Sequence, residues 1–180
     1  DINITFIKTA DGDVSLDAGG AAGAIYDSVD SPADNGATPF VIGNAVTLLA
    51  TAGIGSVTDF LEIDSSFAAT GAVTAHAQNG VFIEETAGAL NLASVLSKTG
   101  DAVLIAAGSI LEFGSDIAPE IQATNIDLVS STGSIGTSTN DLELYGAGQD
   151  IPNIVEKLDI SQPGTGRLYA SAVSGIFGTA

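Results

Sequence analysis

The chain has 180 residues, a formal net charge of −18, 45% hydrophobic and only 6% aromatic residues, and no Cys, Met or Trp. Four basic residues against 22 acidic ones cannot neutralise a phosphate backbone or dock on anionic lipid, so nucleic-acid and headgroup binding are excluded. The lack of cysteine removes disulfides, thiolate metal sites and cysteine nucleophiles together, and no apolar run reaches the roughly 18–20 residues of a membrane-spanning helix. With 22 glycines in place of bulky side chains, the core must be thin and built from small and β-branched residues. A first residue Asp1, with no leader pattern, reads as a processed product or a fragment.

From the N-terminus, Ile2, Ile4 and Phe6 alternate with Asn3, Thr5 and Ile7, the period of a half-buried strand. Val14, Leu16 and Ala18 repeat the pattern around Ser15 and Asp17, with Gly12 and Gly19 as flanking turn residues. Residues 27–40 interrupt it with Pro, Asp, Asn and Gly and read as a loop. Alternation resumes at Val46, Leu48 and Ala50, then at Val73, Ala75 and Ala77 and at Leu90 and Leu92. In the second half it recurs at Ile126, Leu128 and Ser130 and at Leu142 and Leu144. A second Gly- and Pro-rich stretch, residues 146–165, holds the one helical spacing, Ile151, Ile154, Val155 and Leu158, enough for a single turn.

These strands form a repeat. Residues 12–20 line up with 100–108, Val46-Thr47-Leu48 and Leu61-Glu62-Ile63 with Ile126-Asp127-Leu128 and Leu142-Glu143-Leu144, and residues 71–82 with 166–177. The offset changes only across residues 27–40 and 146–165, as loops on a fixed scaffold require. The organisation is one domain over 1–180, two degenerate copies of about 90 residues (roughly 1–93 and 94–180), with loop excursions at 27–40 and 146–165. Small stackable interior residues and glycines at strand ends point to an all-β, right-handed parallel β-helix. Coils of roughly 20–25 residues predict about seven to nine turns and a rod roughly 35–45 Å long, with a β-sandwich as the alternative.

The cadence Gly-Asp-Val-x-Leu-x-Ala in residues 12–25 and 100–110, followed by Val-Thr-Leu-x-Ala and Leu-x-Ile in residues 46–63 and 126–144, resembles the repeats of large bacterial surface adhesins of the filamentous-haemagglutinin type. Residues 81–92 look like a continuation of such repeats. The resemblance spans most of the chain outside the two loops and implies a right-handed β-helix, secretion or display at the cell surface, and a stalk or adhesive role. It brings no catalytic residues.

Hard oxygen donors crowd one loop, Asp27, Asp30, Asp34 and Asn35, and form a candidate calcium site, the only cofactor suggested; Asp11 and Asp13 crowd a second turn. The competing reading is that these acids solvate a strand-rich rod and discourage edge pairing. The single histidine, His76, faces away from Val73, Ala75 and Ala77 and has no matched partner, so it reads as exposed and idle. Without clustered basic and aromatic residues beside the carboxylates, a carbohydrate-active β-helix enzyme is the weakest reading. The sequence therefore predicts a non-enzymatic rod presenting loops to a host-surface or matrix ligand. The alternative is a filament subunit joined end to end by strand pairing, its partners being neighbouring repeats or copies of itself.

Overall fold

In the computed structural model, residues 1–29, 38–116, 118–146 and 168–176 are described. All their regular structure is β, and every ladder between strands is parallel. The first coil holds β1 (Ile2–Ile4), β2 (Ile7–Lys8) and β3 (Val14–Ala18). The second holds β4 (Ile25–Asp27), β5 (Val41–Ile42) and β6 (Val46–Ala50), and the third β7 (Gly53–Ile54), β8 (Leu61–Asp64) and β9 (Val73–Ala77). In the fourth, two long strands suffice, β10 (Gly80–Glu85) and β11 (Leu90–Ser97). The fifth contains β12 (Ala102–Ala106), β13 (Ile110–Glu112) and β14 (Ile121–Ala123), and the sixth β15 (Ile126–Ser130), β16 (Ser134–Ile135) and β17 (Leu144–Gly146). Strands β18 (Leu168–Ala172) and β19 (Gly175–Ile176) begin the next.

One sheet runs β1-β4-β7-β10-β12-β15-β18 and the other β3-β6-β9-β11-β13-β16-β19, so the chain is a parallel β-solenoid of about six turns. That is fewer than the seven to nine expected. Ile25 pairs with Ile54 and Ile54 with Val81, so these turns take 29 and 27 residues rather than the 20–25 expected. At about 4.8 Å per turn, six turns span about 29 Å, shorter than the predicted rod.

The interior is a set of vertical ladders. Ile25, Ile54, Val81, Ala102 and Ile126 form one, and Leu48, Ala75, Val95 and Ile121 another, all buried. The first runs Ile, Ile, Val, Ala, Ile and the second Leu, Ala, Val, Ile, so both stacks are aliphatic throughout. The period-two reading fails at the first strand. Phe6 is 55% exposed while Ile7 turns inward, because the chain bends between β1 and β2 and resets the alternation.

Segments that match in sequence do not stack on one another. Val14–Ala18 lies in the second sheet on Val46–Ala50, whereas its sequence match Ala102–Ala106 lies in the first, between β10 and β15. The same exchange of sheets relates β6 to β15, β7 to β16 and β9 to β18. Both sheets offer the same apolar interior, so a strand sequence suits either. The matched segments are related by a rotation of about half a turn as well as a rise.

Corners are tight enough to exclude side chains. A Cβ on Gly71 would sit 1.0 Å from the Asn44 carbonyl oxygen of the preceding coil.

Candidate functional site

A carboxylate cluster forms where the second sheet splits. In β11 the ladder shifts between Leu92 and Ser94, leaving Ala93 as an exposed extra residue, a β-bulge. The part of β11 before the bulge carries β13, and the part after it carries β14. The next two coils are therefore interrupted on this face by residues 113–120 and 136–143. Glu112 closes β13, Glu120 immediately precedes β14, and Glu143 immediately precedes β17 one coil on. Since Ile121 pairs with Leu144, Glu120 and Glu143 are neighbours along the solenoid axis.

Each of the three offers a carboxylate oxygen, and these oxygens all lie within 4.8 Å of one another. Glu112 is 7% exposed, Glu120 3% and Glu143 6%. The Asp116 N–H donates to Glu112 Oε1 at 2.8 Å, and the Glu143 N–H donates to Glu120 Oε2 at 2.9 Å. Glu112 Oε2 and Glu143 Oε2 are buried and receive no hydrogen bond. The overlying loops are tied together, with Asn140 Nδ2 donating to the Gly114 carbonyl at 2.9 Å. Gly136, at φ 67°, supplies the left-handed corner that starts the second loop.

Burial of several like charges is costly, and it raises the proton affinity of the group. Burial pushes Glu120 above the ordinary carboxylate range, and its side-chain bond with Glu143 and that neighbour's charge add to the effect. Glu143 is raised in the same direction, again chiefly by burial, with Glu112 and Asp141 contributing repulsion. Three convergent, buried, oxygen-only donors are also the chemistry of a hard divalent cation.

A separate buried acid, Glu85 at the end of β10, is bonded by Ser65 of the coil beneath and by the Ala87 backbone. The Ser65 N–H donates to both of its oxygens at 3.2 and 3.0 Å, and Ser65 Oγ donates to Oε2. Burial outweighs these bonds and pushes the Glu85 carboxyl up to about 8, with Asp64 adding repulsion.

Of the residues predicted from sequence for calcium, only Asp27 is described. Asp27 ends β4, is 1% exposed, and accepts the Val29 N–H on Oδ1 at 2.9 Å, an Asx turn. Asp30, Asp34 and Asn35 lie outside the described residues, as does most of the 146–165 loop with its helical spacing. Among the described residues Asp27 belongs to no group of three convergent ligands. The Gly-Asp pairs have a structural role. Asp13 Oδ1 accepts the Ala45 N–H at 3.1 Å, and Asp101 Oδ1 accepts from Asn125 Nδ2 at 2.7 Å, each tying one coil to the next. His76 is half-buried rather than exposed and idle. Its Nε2 lies 2.9 Å from Ser94 Oγ on the adjacent coil, and burial lowers its pKa.

Sequence reasoning passed over Glu112, Glu120 and Glu143. A signal existed for the last. Leu142-Glu143-Leu144 matches Leu61-Glu62-Ile63, and in both the Glu sits between residues that must face the core. In the structure Leu61, Glu62 and Ile63 are all fully buried, so the repeat carries a buried Glu. Glu112 and Glu120 have no such mark, because only the fold sets them beside Glu143. No protein family, curated protein or solved structure matches the chain.

Proposed function

We propose that the chain is a non-enzymatic structural and adhesive segment of an exported bacterial surface protein, a stiff rod that spaces and presents loops. The observation that carries this reading is the interior. Parallel strands stack along the described solenoid, and a continuous cluster of apolar residues runs through its centre, which supports a stiff rod with loops at its corners. A solenoid of this kind transmits load along its axis through backbone hydrogen bonds and resists collapse between coils. The resemblance to filamentous-haemagglutinin-type repeats supports the same reading and gives the cell surface as the place of action. The contact loops are residues 27–40 and 146–165, through which the rod would meet a host-surface or matrix ligand.

The test is retention of a fluorescent fusion of the full chain on animal cells and on matrix-coated wells. Its comparator replaces residues 146–165 with a Gly-Ser linker. Retention of the parent and its loss in the variant, with unchanged circular dichroism, is the expected result. Fibres growing with concentration in negative stain would replace the rod by a filament subunit, and turnover of an acidic polysaccharide would replace it by an enzyme.

A further inference from the structure

We propose that Glu112, Glu120 and Glu143 form a calcium-binding site that clamps the fifth coil to the sixth. Two independent observations meet there. The first is convergence: one oxygen from each side chain lies within 4.8 Å of the others. Calcium takes carboxylate oxygens at about 2.3–2.6 Å, so oxygens around one ion lie at most about 5.2 Å apart, and the cluster fits inside that sphere. The second is unmet bonding. Glu112 Oε2 and Glu143 Oε2 are buried acceptors on side chains more than nine-tenths buried, and among the described residues no N–H or hydroxyl donates to either. Backbone N–H groups of Asp116 and Glu143 serve only the other oxygens of the cluster.

Among the described residues only Lys8 and Lys98 are basic, and neither belongs to the cluster. Lys8 lies over the Phe67 ring, and the chain's other basic residues, Lys157 and Arg167, fall outside the described residues. The donors are all carboxylates, with no imidazole or thiolate to favour a softer metal. Calcium is preferred to magnesium because the ligands come from three points on two coils. They need not reach a compact octahedron, and calcium accepts irregular oxygen shells of six to eight, the remainder filled by water and carbonyls. Glu112 and Glu120 bracket the 113–120 loop while Glu143 ends the 136–143 loop, so a bound ion would hold both corners in register. This site differs from the Asp27 loop suggested by sequence, and it does not depend on the adhesive reading.

The test uses the full chain, stripped with chelator and titrated with calcium chloride in a calorimeter, alongside melting curves in calcium and in EDTA. The comparators are Glu112→Gln with Glu143→Gln, and Asp11→Asn with Asp13→Asn, which removes the same charge from another part of the chain. The expected result for the parent is a single saturable event near one ion per chain. Its melting temperature should rise by about 5–10 °C at hundred-fold excess over the dissociation constant. The Asn variant should keep both properties. The Gln variant should lose both while still melting cooperatively. Absence of saturable binding to the parent, an equal shift in the Gln variant, or an equal shift with magnesium would overturn the proposal and leave only screening of the chain's charge.

Discussion

Glu85→Gln isolates the cost of burying a carboxyl inside this rod. Below pH 4.5 the acid is protonated in both folded and unfolded chains and costs nothing. Between 4.5 and about 8 the unfolded chain loses its proton while the folded chain keeps it, so stability falls steadily as pH rises. At 1.36 kcal/mol per pH unit, the loss accumulated by pH 7 is about 3 kcal/mol. Glutamine reproduces the neutral acid in shape and still accepts the Ser65 N–H, so it removes the titration without opening a cavity. The variant should therefore match the parent at pH 4.5 and exceed it at pH 7 by about 2–3 kcal/mol, or roughly 5–10 °C. Urea and thermal melts followed by circular dichroism at pH 4.5, 6, 7 and 8 measure the difference. The −18 net charge affects both proteins almost equally and so cancels. Parallel stability curves, or a less stable variant at pH 7, would refute the reasoning. They would show Glu85 ionised in the fold, with the Ser65 bonds outweighing burial.

The ladder geometry makes three further predictions. Leu104→Ala, which empties a fully buried position between Ile83 and Leu128, should cost about 2–5 kcal/mol in urea melts, while Ile105→Ala on the outward side of the same strand should cost under about 1.5. Equal costs would mean the strand does not alternate. Gly71→Ala must push the Asn44 carbonyl aside to admit its methyl group, so it should lower soluble yield and melting temperature sharply; a variant melting within about 2 °C of the parent would contradict the close approach. Gly136→Ala forces a left-handed corner on a residue with a Cβ and should cost about 1–2 kcal/mol by the same melts, with no change in the far-ultraviolet spectrum.

The parallel solenoid was legible because its causes are local. Val46, Leu48, Ile126 and Leu128 are buried and alternate with half-buried neighbours, as period two demands. The number of turns was less legible, since corner length depends on how loops such as 55–60 and 113–120 fold back, and nothing in their composition fixes it. The alternation also misled at Phe6, where a corner reverses the inside and outside faces. The cluster was not legible, because Glu112, Glu120 and Glu143 are apart in the chain and converge only where successive coils bring them together. Of Asp27, Asp30, Asp34 and Asn35, which are near in the chain, only Asp27 is among the described residues.

The exchange of sheets between matched segments explains why the cluster occurs once among the described residues rather than twice. Leu61-Glu62-Ile63 and Leu142-Glu143-Leu144 are the same motif after the same kind of loop, with Gly55 and Gly136 at positive φ and short bridges at Ser56–Asp59 and Thr137–Asn140. Both bury the Glu. What differs is the coil beneath. Val41 pairs with Ile63, which sets Phe40 beside Glu62, whereas Ile121 pairs with Leu144 and sets Glu120 beside Glu143. A motif that supplies one buried carboxylate thus becomes a three-carboxylate cluster only where it lands on a coil that carries two more. Because the repeat advances by a half-integral number of turns, each copy rests on a different neighbour. Chemistry in such a solenoid arises from the mismatch between repeat length and helical pitch, and Glu120→Gln should abolish the cluster's distinctive behaviour while Glu62→Gln leaves it intact.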